Sequence, residues 1–218
     1  MAATANKVPV VPIAAACVLA LALWFFPLFH AVPLKSPAAE AAAANAAFDP
    51  VSAAAKIWKT DLPAAAQRAL ELKALVGPLR ENPETAKAKF AKAAGLGTAY
   101  YFVRGSGKVV ARDRNSVQVA VDGAQSAVVA LRIGPVFGNT VRDGCGFLDV
   151  NGFPGLQEFN ALSAELNALV EKNVLPMLRE KATVGVTVQF AGCAEAPEDA
   201  APSGPLLVIV PVSASVLP

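Results

Sequence analysis

Histidine is nearly absent: the 218-residue chain holds one, His30, at the end of an apolar N-terminal run. That excludes a Ser–His or Cys–His nucleophile system from everything beyond the run. It equally excludes a zinc site built on imidazole. Cysteine is scarce as well, and Cys17, Cys145 and Cys193 form no CxxC pair, so no metal site is expected. Neither sign of charge is in large surplus. Against 17 Asp+Glu there are 19 Lys+Arg, a net charge of +2, which lacks the basic excess of a nucleic-acid-binding protein. There is no GxxxxGKS or GxxxxGKT loop and no strand–GxGxxG–helix unit, so no nucleotide cofactor is expected. Carboxylates remain available, but Asp143, Asp149 and Glu158 have no spacing that demands a shared site. A carboxylate-dependent envelope hydrolase is therefore the last-ranked reading, and the chain is expected not to be an enzyme.

What the sequence has in abundance is apolar residues, 55% of the chain. No charged residue occurs from Val8 to Val32, more than the roughly 20 apolar residues that cross a bilayer core. Lys7 precedes the run; Trp24, Phe25, Phe26 and Phe29 crowd its far end, and His30, Pro33 and Lys35 follow. The pattern predicts a signal anchor over residues 1–35 that meets the lipid bilayer through residues 8–32. The N-terminus is then cytoplasmic and the main domain periplasmic. "IAAA" before Cys17 resembles a lipobox, but Val18 to Phe26 prolong the apolar run past it. Cys17 is thus read as a membrane residue, with its lipidation kept as the disfavoured alternative.

Residues 36–47 are an alanine-rich tether, and residues 48–96 read as a helical subdomain. Asp49 is the expected N-cap, Pro50 takes the first helical position, and Phe48 is a candidate staple. Trp58 falls with Val51, Ala54 and Ala55 on one face, as a core anchor would. A second helix is expected from Leu62 to Val76, ending at "GP", and a third from Pro83 to Ala94; no strand is expected before them. The period then changes to two. Ala99–Gly105 and Lys108–Arg114 form one long strand bent at Gly105–Gly107, followed by strands at Ser116–Gly123 and Ser126–Gly134. A long helix over about 156–181, kinked by Pro176, precedes strands at Thr183–Gly192 and Pro205–Ser213. Three strand units, a helix and two strands is the order of an OB-fold. The fold class is therefore α+β, with an OB-like five-stranded barrel over residues 97–218 whose long helix lies between strands 3 and 4. An open α+β sheet of the same elements stays as the rival.

The stretch "IGPVFGNTVRDGCGFLDVNGF", residues 133–153, is dense in glycine and carries Asn139, Thr140, Arg142 and Asp143. Those four are candidate contacts for a ligand or partner. The competing reading makes Arg142 and Asp143 an ion pair that pins a tight loop. Cys145 and Cys193 are either a disulfide, as an oxidising compartment would permit, or two small buried residues. Tyr100, Tyr101, Phe102, Phe137 and Phe147 could supply stacking surface for a sugar or glycan, although period two places Tyr100 and Phe102 opposite Tyr101.

"FFPLFHAVPL", "FDPVSAAAKIW", "VRGSGKVVARDRNSVQVAVDG", "LRIGPVFGNTVRDGCGFLDVNGF" and "FNALSAELNALVEKNVLP" occur in that order. Across roughly residues 24–192 the chain resembles the DUF2291 family of bacterial periplasmic lipoproteins. Gly134-Pro135-Val136 to Arg142-Asp143 and Phe48-Asp49-Pro50 with Ile57-Trp58 are the most specific parts. The resemblance implies no established activity. It implies an envelope role linked to sugar uptake, since members are often encoded beside ribose- or xylose-type ABC transporters, and hence transporter subunits as partners. The expectation is a non-enzymatic, membrane-anchored periplasmic accessory protein; the alternative is an OB-fold module that binds a sugar or glycan.

Overall fold

The computed structural model describes residues 48–94, 97–122, 128–198 and 204–217. The predicted anchor (8–32), Cys17 and the tether (36–47) lie outside them. Among the described residues no helix is long and apolar enough to cross a membrane.

Asp49 caps the first helix as expected, accepting from the Val51 N–H at 3.0 Å, and Pro50 opens α1, Pro50–Lys56. The chain then widens into a π-turn, Ile57–Asp61, where the Leu62 N–H donates to the Ile57 carbonyl, before α2, Leu62–Gln67. The predicted second helix does not run on. Leu70–Glu71 form a two-residue strand, β1, because the edge of β3 offers their backbone parallel partners at Val103 and Arg104. Helix α3, Leu72–Glu81, passes through "GP" instead of stopping there. Pro78 cannot donate to the Ala74 carbonyl, but Ala74 is exposed to water, and the buried spacing Leu72, Leu75, Val76, Leu79 continues unbroken. Asn82 caps α4, Pro83–Phe90, by accepting from the Thr85 N–H. The expected extension to Ala94 is absent because Lys92–Ala94 form β2, antiparallel to Thr98–Tyr100. Two short strands thus occur where only helix was expected.

Strand β3, Thr98–Arg112, is one continuous element. Its first part pairs with β6, Thr187–Glu195, and its second with β4, Ser116–Val121; Gly107 and Lys108 pair with both. A Cβ on Gly107 would lie 2.0 Å from the Ala120 carbonyl oxygen, so only glycine permits that double approach. β4 pairs antiparallel with β5, Val128–Arg132, and β6 with β7, Val208–Leu217. β5 and β7 join in parallel through Ala130↔Val208 and Leu131↔Ile209. The pairings β3–β4–β5–β7–β6–β3 therefore return to their start. After β5 come a short helix, α5 (Thr140–Gly144), and a long one, α6 (Leu156–Asn173). α7, Leu175–Lys181, follows after a break at Val174, two residues before Pro176.

Strand alternation separates two cores. Tyr101, Val103, Val119, Leu131, Phe190 and Ile209 face one, which α3 also enters through Leu72, Leu75 and Leu79. On the other face Cys193, Val210 and Val212 pack against Val141 of α5 and Phe159, Leu162 and Leu166 of α6. Trp58 touches both clusters. Helices of 48–96 and strands of 97–218 thus share cores within one compact unit, Ala43–Pro218.

Candidate functional site: a pinned loop beside a cleft

Helix α5 lies hard against β6. A Cβ on Gly144 would stand 2.6 Å from that of Cys193, so the contact requires glycine. Val141 and Cys145 fill the space beside it, both buried. Arg142 is 5% exposed, and its guanidinium is almost fully committed. Nε donates to Asp143 Oδ1 at 2.7 Å and Nη2 to Asp143 Oδ2 at 3.0 Å, a two-pronged pair between sequence neighbours. Nη1 donates to Asn160 Oδ1 at 2.8 Å, and the guanidinium lies 3.9 Å from the Phe159 ring centre. A delocalised, weakly hydrated cation suits such a stacked and forked environment; lysine would not.

The rest of the loop is fastened to α6. Ser163 Oγ and Asn167 Nδ2 each donate to the Gly138 carbonyl at 2.9 Å, and a Glu171 carboxylate oxygen accepts from the Val136 N–H at 2.7 Å. Asn160, Ser163, Asn167 and Glu171 recur every three or four residues, one polar seam along α6 next to its apolar stripe. Sequence reasoning missed this seam. Its signal was there, as a second periodic row of hydrogen-bonding side chains within an otherwise apolar helix.

The pinned loop forms one wall of a cleft of about 710 Å³, with β2 and the start of β3 opposite. Asn139, Arg142 and Asp143 line it together with Lys92 and Tyr100. Thr140, the fourth predicted contact, is half-buried and does not line the cleft. Tyr100 is buried there, and its phenol is pushed up by loss of solvent, then by the charges of Glu195 and Asp143. It therefore stays a neutral hydrogen-bonding group. Tyr101 points into the inner core, fully buried with an unpartnered hydroxyl, and Phe102 is half-buried against the outer core, so neither offers stacking surface. Phe147, Val150 and Leu156 (65% exposed) line the same cleft, while Phe137, 76% exposed, stands at the other end of the loop.

The expected thiol pair is brought close but not bridged: Cys145 and Cys193 are both buried free thiols. Cys145 Sγ donates to the Arg142 carbonyl at 3.0 Å. Burial pushes the Cys145 thiol up to about 11 and that of Cys193 well above its ordinary value, which makes both poor nucleophiles near neutrality. Among the described residues no cluster of three or more His, Cys, Asp or Glu could hold a metal ion.

Comparison with known proteins places this architecture. Residues 18–215 match the DUF2291 family, described as predicted periplasmic lipoproteins. The chain belongs to that family. A DUF2291 chain is accordingly assigned to the bacterial envelope. The crystal structure of an OB-fold protein from Thermotoga maritima is similar to this one, with a TM-score of 0.67 and 26% identity. The match covers 78% of this DUF2291 chain and 99% of that protein. The fold is thus mixed α/β with an OB-fold neighbour. No curated protein matches the chain.

Proposed function

We propose that this protein is a non-catalytic, membrane-anchored periplasmic accessory protein that docks onto a subunit of a sugar ABC transporter. The strand ring acts as a five-stranded OB-type barrel whose task is to present the loop Gly134–Phe153. One observation carries this reading: three large apolar side chains, Phe147, Val150 and Leu156, stand exposed along one cleft, beside a loop fastened to α6 by part-buried polar bonds. Exposed apolar side chains gathered beside a fixed scaffold are a common feature of protein contacts. Arg142 and Asp143 position this surface, and Asn139 and Asp143 offer polar contacts at its edge. The anchor, residues 8–32, keeps the domain at the inner membrane where a permease resides.

The test is affinity purification of the tagged full-length protein from solubilised native membranes. Permease or sugar-binding subunits should co-purify in stoichiometric amount, and Phe147→Ser with Leu156→Ser should abolish their recovery. Recovery of the protein alone from membranes that contain the transporter would overturn the proposal.

A further inference from the structure

A second concave site lies on the outer face of β6 and β7, away from the pinned loop. It is a groove of about 470 Å³, within the range of small-ligand sites. Its floor follows from register. Gln189 pairs with Ser215, and Ala191 with Ser213. β3 continues the same rows, with Arg104 opposite Ala191. A register shift between Ala191 and Gly192 changes the parity of β7, so that Ile209 faces the inner core while Ser213 and Ser215 face out. Bulges commonly re-aim side chains in this way beside functional sites. Gln189, Ser213 and Ser215 thus put an amide and two hydroxyls among small apolar neighbours, Ala191 and Ala214.

The roof is apolar. Trp58, Leu62, Pro63 and Ala66 cover the floor from the π-turn and α2. Single π-turns inside helices are frequent at functional sites, and this one carries Trp58. The indole is only partly buried and lines the groove, so part of its surface is open to a ligand. Arg104 is the one charged group in the lining, and Glu71 already neutralises it at 2.7 Å.

An indole wall, amide and hydroxyl groups set among small apolar side chains, and an Arg104 charge already balanced by Glu71 suit a ring with one apolar and one polar face. We infer that the groove between Trp58 and the Gln189–Ser215 row binds a neutral saccharide ring. The apolar C–H face of the sugar stacks on Trp58. Its hydroxyls bond Gln189, Ser213, Ser215 and the Arg104–Glu71 pair.

Calorimetric titration of the full-length protein in detergent with D-glucose, D-xylose and cellobiose tests this, with acyclic mannitol as the control. A saturable heat is expected with at least one cyclic sugar and none with mannitol. Trp58→Ala should abolish binding, Trp58→Phe should keep most of it, and exposed Gln189→Ala should weaken it about tenfold without unfolding the domain. In a Trp24→Phe background, the fluorescence of Trp58 should respond to the same sugar. No saturable heat with any of the three at about tens of millimolar would overturn the inference. So would equal binding of mannitol, or binding undiminished by Gln189→Ala and Trp58→Ala.

Discussion

Replacing Arg142 with methionine keeps much of the side-chain volume and removes every hydrogen bond of the guanidinium. Asp143 then loses both of its donors with its side chain only 14% exposed, Asn160 loses its partner, and the Phe159 ring loses its cation. Breaking a buried pair by removing one member costs about 3–5 kcal/mol. Asp143 keeps some access to water, so the lower end applies, about 3 kcal/mol. For a domain of this size that lowers Tm by about 6–12 °C. The assay is thermal and urea unfolding of Ala43–Pro218, followed by circular dichroism, for Arg142→Met, Asp143→Asn and the double variant. The double variant should recover about 1 kcal/mol relative to additivity, because the uncompensated carboxylate is gone. A loss below about 1 kcal/mol for Arg142→Met would refute the reasoning, since a solvated surface pair behaves that way.

Gly144→Ala should destabilise by about 1–3 kcal/mol in the same assay, because the added methyl meets the Cys193 side chain and α5 must lift from β6. Unfolding the same domain in denaturant should free two thiols for alkylation, and in the native state both should label slowly at pH 8, since Cys145 ionises only near 11. Because that thiol ionises near 9.0 when solvated, the unfolded chain releases its proton first. Stability should therefore fall as pH rises from about 9 towards about 11, measured by urea midpoint. Cys17→Ser should leave membrane attachment unchanged and intact mass should show no diacylglycerol on the native protein; loss of attachment would favour the lipidated form.

The strand order was legible because half-buried strands alternate: Val117, Val119 and Val121 on β4 are buried and the residues between them are not. The Asp49 cap was equally legible, since it satisfies a local backbone N–H. β1 and β2 were hidden. Leu70–Glu71 and Lys92–Ala94 have no strand pattern of their own and exist because the edge of β3 gives their backbone partners. The helix through Pro78 was hidden for a related reason, its tertiary burial outweighing the local break. At the site, composition pointed to the glycine-rich loop and to Arg142 with Asp143, which the structure joins as an ion pair. The polar row on α6 was visible as a pattern, but its partner was not, because Ser163, Asn167 and Glu171 lie a helix away and act through side-chain bonds to backbone atoms.

The parallel join of β5 and β7 rests on two residue pairs, the shortest contact in the ring. It also connects residues 130 and 208, far apart along the chain. Closing so long a loop costs entropy that only two pairs directly offset, so this seam is expected to form after the antiparallel β4–β5 and β6–β7 hairpins. Native-state hydrogen exchange should find the first opening of the ring there. The backbone amide of Ala130, bonded to the Leu207 carbonyl, reports that opening directly.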